Sequence, residues 1–230
     1  MPRNSIIAGG QIAPTSEGLI EELNLPTWSA LGPTNKGGRT RALVIDPVTP
    51  NTMYAGGVAG GVFKSTDGGA NWTPMSDLIP RIAISSLAIA PTSPSTLYAG
   101  TGEIFAGDGV EGLGIFKSTD SGVTWPALAS TLNNNFKYVA DIVVSPLSAN
   151  RVYAATWNGV YRSLDAGVSW TQVVNRGYCN DLAIRTDTAT DTVFATCGFS
   201  SGALLRNTDA GGAGTWDVVF DDGAAAAFGR

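Results

Sequence analysis

The sequence predicts an all-β chain, a β-propeller of four-stranded antiparallel blades with four complete blades encoded. Three observations predict it: a motif that recurs four times, a fixed order of short apolar segments ahead of each copy, and a composition rich in Gly and poor in charge. The chain has 230 residues, 29 of them Gly, and charged residues make up 14%. An average soluble domain carries about 7% Gly and about 25% charge. Many short strands joined by tight turns call for that bias.

The motif is Ser-x-Asp-x-Gly-x-x-Trp. Its copies begin Ser65, Ser118 and Ser163, with Asp67, Gly69 and Trp72, then Asp120, Gly122 and Trp125, then Asp165, Gly167 and Trp170. A looser fourth has Asn207, Asp209, Gly211 and Trp216, with two extra residues before the Trp. The Asp-to-Asp spacings are 53, 45 and 44, and a period near 45 residues marks a repeat architecture. The motif reads as the turn between the third and fourth strands of a blade. The Asp carboxylate takes backbone N–H groups of the turn, the Gly supplies positive φ, and the Trp covers the hairpin with a large apolar face. The four Asp are therefore expected to staple turns and to take no part in catalysis.

Each copy has the same anatomy upstream. First strands are expected at Ala42–Ile45, Ser86–Ile89, Asp141–Val144 and Asp181–Ile184. Second strands carry an aromatic: Tyr54, Tyr98, Tyr153 and Phe194. Third strands run at Gly61–Lys64, Gly114–Lys117, Gly159–Arg162 and Ala203–Arg206, and fourth strands start at each Trp. Four short antiparallel strands per repeat make a propeller blade. The expected division is an N-terminal extension over 1–26, a lone fourth-type strand over 27–33, blades over 40–78, 82–130, 137–175 and 179–220, and a tail over 221–230.

The motif resembles the Asp-box, or BNR repeat, of sialidase-like propellers. The run Trp28-Ser-Ala-Leu-Gly-Pro33, then Gly37-Gly-Arg39-Thr, Asp46-Pro and Tyr54-Ala-Gly-Gly resembles the sortilin-like and xyloglucanase-like branch. The resemblance spans about residues 27–220 and implies the fold more sharply than the activity, since that branch holds hydrolases, receptors and assembly factors. It implies seven or more blades per ring, so the chain is expected to be the N-terminal part of a larger propeller, or to close by pairing with another copy.

Alternating strand direction puts the turns between strands one and two and between three and four on one rim. The loops between strands two and three, and between blades, share the other rim, where relatives carry function. That rim supplies the candidate ligand-binding residues Arg39, Glu103, Phe105, Asp108, Glu111, Tyr138, Trp157 and Arg176, with Lys36, Asn133 to Asn135, Lys137, Asn158, Tyr178 and Phe199 nearby. Tyr98 to Asp120 spans 22 residues, against 13 and 12 for the same interval in blades 1 and 3. Glu103, Phe105, Asp108 and Glu111 fall in that insertion. Aromatic faces with carboxylates and amides suit a carbohydrate. The alternative is packing between blades for the rings, solvated loop charges for the carboxylates, and a structural Arg39 bonding strand-end carbonyls.

Glycosidases normally set two carboxyl groups about 5–5.5 Å or about 6.5–9.5 Å apart. In the xyloglucanases this chain resembles, a catalytic Asp follows the blade-1 Tyr-Ala pair, four residues after the Tyr. Here Val58 holds that position. The sialidase Arg-Ile-Pro signature is also missing; Ile79-Pro-Arg81 only permutes it. The catalytic residues are thus unknown, with Glu103 and Asp108 as weak candidates. The leading expectation is an extracellular-type module that binds glycan or protein without catalysis. A glycoside hydrolase fragment and an assembly factor for another complex are the alternatives.

Cys179 and Cys197 flank the first two strands of blade 4. Placing Leu182 opposite Phe194 gives an index sum of 376, which 179 and 197 share. The two are expected to face each other, as a disulfide in an oxidising compartment or as buried thiols. There is no His, which removes His-based catalysis and His metal ligands, and two Cys cannot complete a four-thiolate site. No cofactor and no metal is expected. The net charge of −5 without basic clusters argues against nucleic acid. No run of about 18 apolar residues is present, so no membrane insertion is expected. No apolar run of about 7–15 residues follows Met1, as an export signal would need. An extracellular or periplasmic location is implied by the resemblance and the low charge.

Overall fold

The structure, a computed structural model, describes residues 39–221 apart from 59, 76–82, 104–108, 200 and 213. All lie in the unit Gly32–Arg230. The expected strand at 27–33, the extension before it, and the tail beyond Asp221 lie outside the described residues, as do Lys36, Phe105 and Asp108.

Fifteen strands are described. The first sheet is β1 (Thr40–Ile45), β2 (Met53–Gly57), β3 (Gly61–Ser65) and β4 (Thr73–Pro74). The second is β5 (Ile84–Ala90), β6 (Ser93–Thr101) and β7 (Ile115–Ser118). The third is β8 (Val139–Val144), β9 (Val152–Thr156), β10 (Gly159–Ser163) and β11 (Thr171–Val174). The fourth is β12 (Cys179–Ile184), β13 (Val193–Cys197), β14 (Ala203–Asn207) and β15 (Asp217–Asp221). Every sheet is antiparallel and follows chain order. The fourth strands begin one residue after each Trp. In the second sheet the fourth strand shrinks to one bridge, Phe116 with Ala127. Pro126 stands beside it and has no N–H for a ladder, though its carbonyl still accepts the Lys117 N–H at 3.0 Å. The chain then turns into a short 3-10 segment, Ala129–Thr131.

The first strands β1, β5, β8 and β12 are neighbours in succession, so the sheets stack side by side about their inner edges. Three apolar cores fill the junctions. Tyr54 and Val62 pack with Ile84, Leu87, Leu97, Phe116 and Trp125. Tyr98 and Ile115 pack with Phe136, Val139, Ile142 and Val152. Tyr153 and Val160 pack with Cys179, Leu182, Val193 and Leu205. Burial of these side chains is the main favourable term, about 1.5–3 kcal/mol for each large one.

The aspartate turns hold the outer hairpins. In the first, Asp67 Oδ1 accepts the Asn71 N–H at 2.9 Å and Ser65 Oγ donates to the same oxygen at 2.8 Å. Ser65 Oγ in turn accepts the Gly69 N–H at 2.9 Å. The pattern repeats with Asp120, Thr124, Ser118 and Gly122 and with Asp165, Ser169, Ser163 and Gly167. Hydrogen bonds from the Asn71, Thr124 and Ser169 side chains and backbones, then from Ser65, Ser118 and Ser163, pull these three carboxyls down to about 2. Gly69, Gly122 and Gly167 have φ of 93°, 86° and 93°. The residue just before each is also left-handed: Gly68 at 72°, Ser121 at 59° and Ala166 at 59°.

The fourth turn departs from this scheme. Asn207 replaces the Ser, its Oδ1 accepts the Asp209 N–H at 2.9 Å and its Nδ2 donates to Gly214 O at 2.7 Å. Among the described residues the Asp209 carboxylate makes no hydrogen bond. Gly211 does not take the positive φ expected of it; a Cβ there would run into the Arg151 guanidinium.

Candidate functional site

Backbone hydrogen bonds sort the loops onto two rims. The aspartate turns bond to the turns between first and second strands: Gly68 N–H to Asn51 O, Ser121 to Ser95, Ala166 to Asn150 and Ala210 to Asp191. The loops between second and third strands bond to those between sheets: Val58 N–H to Arg39 O, Gly102 to Ala83, Trp157 to Tyr138 and Gly198 to Tyr178. The turns thus occupy one rim and leave the other to the candidate residues.

On that second rim four aromatic rings form a row. Ring centroids are 5.6 Å apart from Tyr138 to Trp157, 4.3 Å from Trp157 to Tyr178 and 5.5 Å from Tyr178 to Phe199. A backbone relay pins it: Trp157 N–H donates to Tyr138 O at 3.2 Å, Tyr178 N–H to Trp157 O at 2.7 Å, and Gly198 N–H to Tyr178 O at 2.9 Å. Tyr178 sits at φ 58°, a left-handed conformation that is costly for a bulky residue. Trp157 is 37% exposed and Phe199 86%. Large rings at such exposure, fixed by backbone bonds, present apolar faces to solvent.

The row borders a tight pocket lined by Arg41, Glu103, Tyr138, Trp157, Tyr178 and Asn180, with room of ≈ 10 Å³, enough for about one water. Glu103 is buried to 6% exposure. Its Oε2 accepts from Arg39 Nη2, Arg41 Nη1 lies 3.7 Å from its Oε1, and Oε1 has no hydrogen-bond partner. A buried carboxylate oxygen without a hydrogen bond is costly, and it ends in a pocket flanked by rings. The Arg39 carbonyl takes the Val58 N–H at 3.0 Å, so the position where the resemblance expects an acid is joined through Arg39 to Glu103.

The other candidates lie apart from this pocket. Glu111 pairs with Lys137 at 3.0 Å, beside an open cleft of ≈ 240 Å³ lined also by Leu132, Asn133 and Asn134. That cleft is larger, but it lacks a buried unsatisfied group and an aromatic wall. Arg176 pairs with Asp221 through 2.9 and 3.2 Å bonds. Asn133 caps a 3-10 segment by accepting the Asn135 N–H at 3.0 Å. Asn158 Nδ2 donates to Asn134 O at 3.3 Å, so the Asn cluster is spent in part on loop geometry. Tyr178, Arg41 and Asn180 join the site although sequence reasoning gave them no weight or little. Tyr178 follows the Arg-Gly pair of its loop, and its position matches Tyr138 one repeat earlier. Among the described residues no three His, Cys, Asp or Glu side chains converge as metal ligands.

Cys179 and Cys197 form a disulfide across β12 and β13, where they are directly paired. The residue next to each, Tyr178 and Gly198, carries the relay of the aromatic row.

Fold and rim together define a β-propeller with an aromatic, carboxylate-bearing loop face. No protein-family model matches the chain. It is 31% identical over 193 residues to the xyloglucanase Xgh74A of Acetivibrio thermocellus, covering 67% of this chain and 21% of that enzyme. It is 23% identical over 228 residues to a xyloglucanase of a Paenibacillus species, covering 84% and 22%. The chain therefore spans about a fifth of the length of the curated relatives it matches. Among solved structures, the GH74 enzyme of Niastella koreensis superposes with a TM-score of 0.62 at 22% identity, over 80% of this chain and 30% of that one. YCF48 from Cyanidioschyzon merolae superposes at 0.56 and 14%, over 81% and 57%. Both are β-propellers, and the chain shares their fold.

Proposed function

We propose that this chain supplies part of the glycan-binding rim of a xyloglucanase-type glycoside hydrolase, within the sialidase-like and sortilin-like group its repeats resemble. The aromatic row Tyr138, Trp157, Tyr178 and Phe199 beside Glu103 is the observation that carries this reading. Sugar rings offer C–H faces to aromatic planes and hydroxyls to carboxylates. A glycan stacked along the row would bring a hydroxyl to Glu103 Oε1, which lacks a hydrogen bond. Similarity to xyloglucanases supports a β-glucan chain as the ligand class. The disulfide supports an extracellular or periplasmic setting.

Val58 favours a second reading, a glycan-binding module without catalysis, because an apolar side chain cannot donate or accept the proton that the resemblance assigns to this position. Glycosidase chemistry needs a pair of carboxyl groups, and Glu103 is the only candidate of the two that the described residues contain.

Titration of xyloglucan oligosaccharides into the chain, followed by calorimetry and tryptophan fluorescence, tests the binding claim. Binding is expected, with Trp157→Ala weakening it at least ~10-fold, as loss of one stacking contact worth ~1.4 kcal/mol gives. Glu103→Gln, which keeps the shape and changes the hydrogen-bonding oxygen, should weaken it less. No binding, or binding indifferent to Trp157, would reject the rim as the glycan face. A reducing-sugar assay on the same samples separates the two readings: product released by the wild type and lost in Glu103→Gln supports hydrolysis.

A further inference from the structure

The first strand of every sheet interrupts its pairing with the second at the same place. In β1 the ladder joins Thr40 to Gly57 and Ala42 to Gly56, and passes over Arg41. In the same way it passes over Ser85 in β5, Ala140 in β8 and Asn180 in β12. One extra residue between two ladder pairs is a β-bulge, which re-aims the side chains around it.

The bulged residue and the one after it serve different ends. The one after it reaches the next sheet: Ser86 Oγ accepts the Ile142 N–H at 3.0 Å, and the Asp141 carboxylate accepts the Leu182 N–H at 3.0 Å. The bulged residues Arg41, Ser85, Ala140 and Asn180 all line the small pocket beside Glu103. Each of the four sheets thus brings the same position to one cavity, with a different chemical group there: a guanidinium, a hydroxyl, a methyl and an amide.

Those groups act differently. Ser85 Oγ donates to the Val139 carbonyl of the next sheet, so its hydroxyl braces the wall. Ala140 ends in a methyl and leaves the room of ≈ 10 Å³ open. Asn180 is half-buried, and its amide is held only by a long hydrogen bond, Nδ2 to Gly198 O at 3.5 Å. Arg41 Nη1, at 3.7 Å from Glu103 Oε1, makes a charge contact there and not a hydrogen bond.

The pocket therefore sets an acceptor that lacks a donor, Glu103 Oε1, beside an amide that can donate and accept. Room for about one water admits one small polar group. A carboxylate only accepts, and it would meet the Glu103 charge. An ammonium only donates, and it would meet the Arg39 and Arg41 guanidinium groups. A hydroxyl donates through its O–H and accepts on its oxygen, so it satisfies both sides of the pocket.

We propose that the bulged positions read the glycan. One uncharged sugar hydroxyl enters the pocket, donates to Glu103 Oε1 and accepts from Asn180 Nδ2, and Ala140 sets the space it fills. The inference rests on the glycan-binding reading and adds Asn180 and Ala140 to it as specificity-determining residues.

Calorimetric titration of xyloglucan oligosaccharides into the full chain and its variants tests this. Asn180→Ala should weaken binding about 5-fold, as loss of one hydrogen bond gives. Ala140→Leu fills the pocket and should weaken binding at least ~10-fold, since the hydroxyl can no longer enter. Glu103→Gln added to Asn180→Ala should cost less than ~2-fold more, because one hydroxyl joins the two side chains and its loss is counted once. Thermal melting accompanies each titration; if Ala140→Leu melts early, Asn180→Ala and the double variant decide. Binding that depends on Trp157 but is indifferent to Asn180 overturns this inference and leaves stacking on the aromatic row intact. Effects of Asn180→Ala and Glu103→Gln that multiply in full overturn the shared hydroxyl. A wild type that binds no oligosaccharide overturns this inference together with the reading beneath it.

Discussion

At the residue scale, the same carboxylate side chain serves opposite ends here, and surroundings decide which. Asp67, Asp120 and Asp165 sit in solvent and accept N–H and hydroxyl donors, which favour the ionised form and bring their pKa down to about 2. Asp141 is half-buried at the meeting of β5, β8 and β12. Burial raises it to about 6 against the opposing hydrogen bonds from Leu182, Ser86 and Ile142. The sign follows from linkage. A carboxyl whose folded value lies above its unfolded value stabilises the fold below the unfolded value and loses that contribution as pH rises through the folded one. The fold should therefore lose up to about 3 kcal/mol from this group between pH ~4 and ~6. Asp141→Asn should remove that slope, because an amide nitrogen can face Ser86 Oγ while its oxygen takes the Leu182 N–H. Thermal melting of both proteins from pH 4 to pH 8 checks it, and an unchanged slope in the variant would show that Asp141 is not its source. The turn role of the motif Asp was legible in the sequence, because three copies of one Ser-x-Asp-x-Gly-x-x-Trp pattern leave little else for them to do. The role of Asp141 was not, because the Ser86 and Leu182 that reach it lie on neighbouring repeats.

At the element scale, strand order and type were readable from alternating apolar residues and turn chemistry, while register was not. The index sum placed Leu182 opposite Phe194, but Leu182 pairs with Ala195. The cysteines still pair, because a register shift between Cys179 and Asp181 moves the count by one. The same shift recurs in every inner strand, between Thr40 and Ala42, Ile84 and Ser86, and Val139 and Asp141. A bulge kinks a strand and re-aims the residue beside it, here Ala42, Ser86, Asp141 or Asp181, two of which accept an N–H of the next sheet. A bulge has no residue signature in these strands, so the straight index sum met the disulfide only because its one-residue error and the bulge cancel. The disulfide closes a loop of 18 residues, which corresponds to about 3 kcal/mol of stability by loop-closure entropy. Replacing both cysteines by Ala should lower stability by roughly that amount in urea titration and loosen the Tyr178 to Phe199 end of the aromatic row. A double variant as stable as the wild type would mean that pairing of β12 with β13 needs no cross-link.

At the scale of the whole molecule, the sequence displays its repeats and conceals how they meet. Periodicity showed four units, and rim assignment followed from strand direction alone. The pocket was only partly readable: Glu103, Tyr138 and Trp157 converge, whereas Glu111 and Arg176 take ion pairs elsewhere. Convergence depends on which loops the inner strands bring together, and no spacing encodes that. The stacking has an energetic consequence. The second and third sheets are covered on both faces, and β5 and β9 are almost wholly buried. Among the described residues the outer sheets are covered on one, and β1 and β15 are largely exposed. Where repeats contact only their neighbours, stability is a sum of unit and junction contributions, and the ends open more readily than the middle. Amide hydrogen exchange should therefore find β6 and β9 exchanging slowest. β2 and β13, at equivalent places in the outer sheets, should exchange faster although each is hydrogen-bonded on both edges. Equal protection of all four second strands would mean that the sheets unfold as one unit and that the junctions are far stronger than the sheets they join. Faster exchange at β2 and β13 would locate the weaker protection in the first and fourth sheets.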